Sequence, residues 1–98
     1  MLKIYIAGKI TGEEPSVAKR KFKDAENKIK SIFSSAIVVN PIELVNDICM
    51  DWHEAMRICL KELSTCDMIY LLPCWKDSKG AKIERDFALN SKMIICYQ

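Results

Sequence analysis

Histidine is nearly absent from this chain, which carries His53 alone, and no two cysteines stand in a CxxC pair. Zinc centres draw on sets of His and Cys at short spacings, so no metal site of that kind is expected. The cysteines, Cys49, Cys59, Cys66, Cys74 and Cys96, are odd in number, and most lie in apolar runs where a thiol behaves as a small hydrophobe. Free thiols in that number predict a reducing, cytoplasmic setting. Long apolar runs are missing too. The first, Ile4-Tyr5-Ile6-Ala7, is too short for a signal-peptide core and stops at Gly8. Nothing approaches the length that crosses a bilayer, so a membrane is not an expected partner. An excess of one charge is also lacking. The formal net charge is +2, and the lysines of 19–30 share their helix with Asp24 and Glu26, so they read as a solvated face. A nucleic-acid partner would call for a basic cluster on one face, and none is expected.

What is present is the composition of an ordinary globular domain, 50% hydrophobic and 29% charged over 98 residues, read as a single domain spanning 1–98. Residues 2–7 are rich in β-branched and aromatic side chains and predict a strand. Pro15 suits the first turn of a helix, where its missing N–H is no loss. Ala18, Phe22, Ala25, Ile29 and Phe33 then form one apolar stripe on a helix over about 15–33. The uniformly apolar run 36–39 predicts a short strand buried on both faces. Residues 42–50 read as a helical turn and a loop. A helix over 51–64 follows, with Trp52, Ala55, Met56, Cys59, Leu60 and Leu63 on one side. A third strand occupies 67–72, a helix about 80–91 with Ala81, Phe87 and Ala88 inward, and a fourth strand 93–97. This βαβαβαβ order predicts an α/β fold, a three-layer Rossmann or flavodoxin-like arrangement with a four-stranded, mostly parallel sheet.

Ligands of such sheets bind beyond the carboxyl ends of the strands, where the winding reverses. Three segments follow strands here: Ala7-Gly8-Lys9-Ile10-Thr11-Gly12, Asn40-Pro41, and Pro73 through Gly80. The third opens into a helix, whose free N–H groups suit an anion. Gly80 would let a ligand approach the backbone, and Glu84 lies one turn further on. Gly8 and Gly12 match neither GxGxxG nor the phosphate-binding P-loop, and simple turn glycines remain the alternative. Ser78 is either a ligand contact or a helix cap. Tyr5 is either a site residue or a core tyrosine, and Trp52 reads as core or interface.

The ordered pieces Tyr5-Ile-Ala-Gly8-x-x-Thr11-Gly12, Asn40-Pro41 and Cys66-Asp67-x-Ile-Tyr-Leu-Leu-Pro73-x-Trp75-x-x-Ser78-Lys79-Gly80-Ala81-x-x-Glu84 resemble a family of small bacterial and phage proteins. That family is the domain of unknown function 4406, within the nucleoside 2-deoxyribosyltransferase-like superfamily. The resemblance covers nearly the whole chain. It implies that Glu84 attacks C1′ of a deoxyribosyl group and that the base leaves from a covalent glycosyl-enzyme, as in retaining glycosidases. It implies that Tyr5 reaches this nucleophile, that Gly8 lies beside the sugar, and that Ser78 contacts a 5′-phosphate. Trp75 is expected as a lid or stacking residue, the alternative being a loop anchor or subunit contact. Glu84 is expected to be ionised with help from the helix N-terminus. Asp67 begins a strand and reads as structural. The implied ligand is a small-molecule nucleoside or nucleotide, with no cofactor and a homo-oligomeric assembly that completes the site. One departure stands out. Where relatives usually carry an aspartate that assists the leaving base, this chain has Cys59, which favours a second reading as a non-catalytic nucleotide-binding module or sensor. A milder departure is Cys74, where relatives often carry glycine.

Overall fold

Alternation along the strands decides how the layers form, because successive side chains leave a strand on opposite faces. In β1 (Lys3–Ala7), Ile4 and Ile6 face one way and Tyr5 and Ala7 the other. The computed structural model describes residues 1–45 and 50–98. Its remaining elements are α1 (Pro15–Ile32), β2 (Ile37–Val39), α2 (Pro41–Leu44), α3 (Trp52–Leu63), β3 (Met68–Leu71), a 3-10 helix (Pro73–Asp77), α4 (Lys79–Asn90) and β4 (Ile94–Tyr97). The part of the 42–50 reading that falls on 46–49, and Cys49 with it, lies outside the described residues. The first layer packs Ile4, Ile6, Met68, Tyr70 and Leu72 against Phe22, Ala25 and Ile29 of α1. The other packs Tyr5, Ala7, Val39, Ile69 and Leu71 against Cys59 and Leu63 of α3 and Ala81 and Ala88 of α4. Most of each helix stripe read from the sequence faces the sheet, and Phe87, expected inward, is partly buried at the same core. Phe33 is the exception on α1, 40% exposed just past the helix end at Ile32.

The strand order is β2-β1-β3-β4, and every pairing is parallel. This is a three-layer α/β/α fold of Rossmann or flavodoxin-like type. The chain leaves β1 for one neighbour, β2, and then crosses over to the other neighbour, β3, so the winding reverses between β1 and β3. One expectation needs correction. The run 36–39 is not a strand buried on both faces: β2 pairs only with β1 at the sheet edge, and Ile37 is 48% exposed. The segment that follows β3 forms a 3-10 helix, with Pro73 in its first turn.

Each helix start has a local cause. Glu14 accepts from Ser16 N ahead of Pro15, Asp51 accepts from His53 N at 3.1 Å, and Ser78 Oγ accepts from Ala81 N at 3.1 Å. At the end of β2, Asn40 Oδ1 accepts from Ile42 N at 3.0 Å and starts α2, while its Nδ2 donates to Glu26 Oε1 at 3.3 Å. Burial alone would raise the Glu26 carboxyl. The hydrogen bonds from Lys30 and Asn40 outweigh it and hold the group below the usual carboxylate range. At the opposite end of the sheet, Asp67 Oδ2 accepts from Lys3 N at 2.8 Å, tying β1 to the start of β3.

Two glycines make different packing demands. A Cβ on Gly8 would stand 2.8 Å from Leu72 Cδ1 and 3.1 Å from Leu72 Cβ, against a buried side chain rooted in the sheet. A Cβ on Gly80 would meet Met56 Sδ at 3.1 Å, and methionine is a flexible neighbour. Gly8→Ala is therefore expected to cost about 1–3 kcal/mol through overpacking. Gly80→Ala should change stability by less than about 1 kcal/mol, because the gain in helix propensity offsets the small shift of Met56. Urea denaturation of the two variants checks this ordering.

Candidate functional site

The point where the winding reverses places three chain segments around one hollow. Gly8 and Thr11 come from the segment after β1, Pro41 and Ile42 from the segment after β2, and Ser78, Gly80 and Glu84 from the start of α4. Trp52, Met56 and Cys59 of α3 close the remaining side, and the cleft they line holds about 810 Å³. Ligand pockets run from about 300 to 1,000 Å³, so the cleft has room for a nucleotide-sized molecule.

At its inner wall stands a buried pair. Tyr5 is 0% exposed and Glu84 is 5% exposed. The Tyr5 hydroxyl donates to Glu84 Oε2 at 2.5 Å, joining the middle of β1 to the second turn of α4. Burial pushes the Glu84 carboxyl up to about 7, with the Tyr5 hydrogen bond pulling the other way. The expectation that the helix N-terminus keeps this group readily ionised is thus corrected. Glu84 lies beyond the first turn of α4, where the dipole effect has faded, and desolvation dominates. Burial also raises Tyr5, and the neighbouring Glu84 carboxylate adds to it. The Cys59 thiol adjoins the same hydroxyl and is raised by burial as well.

Over residues 2–97 the chain matches the family described as "Domain of unknown function (DUF4406)". The chain belongs to the DUF4406 family. No curated protein and no solved structure matches it.

In this DUF4406 protein, then, Glu84, Gly8, Ser78 and Gly80 line one cleft and Tyr5 stands directly behind Glu84. Ser78 caps α4 and lines the cleft, so its two sequence readings coexist. Gly80 also lets α3 and α4 approach closely. Trp75 is placed elsewhere. It is not among the cleft-lining residues, and it packs 6.0 Å from the Tyr97 ring with the Arg85 guanidinium 4.7 Å from its centroid. The reason is the 3-10 helix, which turns Trp75 toward Arg85 and Tyr97 at the edge of the core. Cys74 faces the other layer, where its Sγ accepts from Lys9 N at 3.3 Å. His53 is solvated, its side chain 76% exposed.

Sequence reasoning missed Trp52 and Lys79 as cleft residues. Trp52, Met56 and Cys59 sit on one α3 stripe, and a stripe whose inner end packs in the core has the same spacing when its outer end lines a cleft. Lys79 carried no distinguishing signal beyond its place next to Ser78. Among the described residues, no three His, Cys, Asp or Glu side chains cluster as metal ligands would.

The raised Glu84 carboxyl has a consequence for stability. The folded state holds this proton more tightly than the unfolded chain does, so stability falls as pH rises from about 4.5 to about 7 and then levels off. Glu84→Gln removes that penalty. It is expected to stabilise the protein by about 2–3 kcal/mol at pH 8 relative to its effect at pH 4.5, at 1.36 kcal/mol per pKa unit. Thermal melts of both proteins across this range check the prediction, and a pH-independent difference contradicts it.

Proposed function

We propose that this protein acts on the N-glycosidic bond of nucleosides or nucleotides, as a 2-deoxyribosyltransferase or a deoxynucleotide N-hydrolase, with Glu84 as nucleophile. The observation that carries the reading is the buried Tyr5–Glu84 hydrogen bond at the wall of the cleft. The resemblance of the ordered motifs to the nucleoside 2-deoxyribosyltransferase-like superfamily supports it. The hydrogen bond to Oε2 holds the carboxylate orientation and leaves Oε1 to approach C1′, and fixed orientation of this kind is a large part of catalysis. Attack by Oε1 forms a glycosyl ester as the C1′–N bond breaks and its electron pair passes to the base nitrogen. Water, or a second base, then attacks C1′ and frees the carboxylate. The reacting form of Glu84 is ionised, so base release rises with pH through about 7.

One observation favours a second reading, a nucleotide-binding module without turnover. Beside Tyr5 and Glu84 stands Cys59, whose thiol is buried and raised by burial, a poor proton donor to a departing base. Base release from deoxynucleosides and deoxynucleoside monophosphates separates the two. On the enzyme reading, wild type releases free base, Glu84→Gln abolishes release while retaining binding, and Cys59→Asp raises it about 10-fold or more. Release that persists in Glu84→Gln removes Glu84 as nucleophile. Binding without release in both wild type and Cys59→Asp selects the binding module.

The proposal extends to assembly and setting. Tyr97, Ile94 and Leu89 are about half exposed along the α4–β4 edge, and aromatic and aliphatic side chains of this kind are buried when copies associate. A homodimer or larger homo-oligomer is expected, and light scattering that gives the monomer mass across a wide concentration range overturns it. Cys59, Cys66, Cys74 and Cys96 are free thiols, which fits a reducing cytoplasm.

A further inference from the structure

The first turn of α3 passes close to the N-terminus of α4. A Cβ on Gly80 would lie 3.9 Å from Trp52 Cζ2 and 3.1 Å from Met56 Sδ, so the half-buried Trp52 indole is seated beside the start of α4. Trp52, Ser78, Lys79 and Glu84 line the same cleft. The Lys79 ammonium lies over the indole face, 5.0 Å from the ring centroid. Neither residue takes part in the Tyr5–Glu84 pair, and the chemistry at Glu84 makes no use of them.

We propose that this pair sets the cleft's preference for phosphorylated ligands: the Trp52 face is the platform on which the planar base stacks, and Lys79 leaves it for the ligand's phosphate. The inference rests on the nucleotide reading above and narrows it to nucleoside monophosphates over free nucleosides. The exchange runs downhill on general grounds. An ammonium over an indole in contact with water is a weak attraction. A charge-assisted hydrogen bond from the same ammonium to a phosphate is stronger, and a stacked base covers more of the ring than an ammonium does. In the free protein Lys79 covers the platform. In the complex the base covers it, and the ammonium is released to the anion within the same cleft.

The test uses the full chain and two ligands, deoxyguanosine and its 5′-monophosphate. The chain holds two tryptophans, so Trp75→Phe leaves Trp52 as the sole indole, and Trp75 lies outside the cleft lining. In that variant, Trp52 emission should change as either ligand is titrated. Trp52→Ala should weaken both ligands about 10-fold or more, as loss of a stacking partner does. Lys79→Met keeps the aliphatic stem at an exposed position, so folding is not at risk. It should weaken the monophosphate about 10-fold, leave the nucleoside unchanged, and flatten the salt dependence of monophosphate binding. Equal losses for both ligands in Lys79→Met, no loss for either, or ligand binding by calorimetry without any change in Trp52 emission would overturn the pair's role while leaving the nucleotide reading intact. If calorimetry detects binding of neither ligand to the wild type, the nucleotide reading falls and this inference falls with it.

Discussion

A carboxyl group set almost entirely inside an apolar core must find a donor, and the Tyr5 hydroxyl is the donor that Glu84 finds. Tyr5 belongs to a core cluster with Ile69, Leu71, Ala81 and Cys59, residues that offer little else to a carboxylate. Without the hydroxyl the buried oxygen would be unsatisfied, at a cost of about 1–3 kcal/mol. The interaction therefore pins α4 against the middle of β1. It also fixes how far the start of α4, with its Ser78 cap, stands from the carboxyl ends of the strands. The cleft is the space left over once that distance and the approach of α3 are set.

The approach of α3 depends on small groups. Gly80 lets the Met56 sulfur and the Trp52 ring come close to the α4 backbone, and Gly8 lets Leu72 close over the end of β1. On the remaining side, Asn40 connects two layers. Its side chain starts α2 at the rim of the cleft and reaches Glu26, a buried carboxylate of α1 that also accepts from Lys30 Nζ at 2.9 Å. Polar groups thus hold the rim, whereas apolar packing holds the sheet. Rim segments joined by a few hydrogen bonds deform more readily than the core, which suits a site that must admit a ligand.

Strands and helices were legible because their signals are local. The short apolar runs around Ile4, Ile69 and Ile95 and the helical stripe from Ala18 to Ile29 each carry their period within a few residues. Cap chemistry is local too, and Ser78 could be recognised as a cap before any fold was known. The misreadings have a shared origin. Ile37 looked like an interior residue because an apolar run does not record whether a second strand pairs on its far side. Trp75 looked like a ligand contact because it stands three residues before Ser78 in the same segment, yet the turn of a 3-10 helix sends it to Arg85 and Tyr97. Trp52 looked like core or interface because the stripe it belongs to continues into the core at Cys59 and Leu63.

The amino-acid sequence by itself determined the succession of strands and helices, the parallel sheet, the two opposed apolar layers and the grouping of candidate residues in the segments that follow strands. Those features follow from side-chain periodicity and backbone preference, both of which act over short separations. Only the tertiary structure decided that Tyr5 and Glu84, 79 positions apart, would share one hydrogen bond. It alone decided that burial would raise the Glu84 carboxyl and that Trp52 and Lys79 would face the cleft while Trp75 would not. The physical reason is that desolvation and contact between distant residues depend on which elements pack together, and no local stretch of chain encodes that.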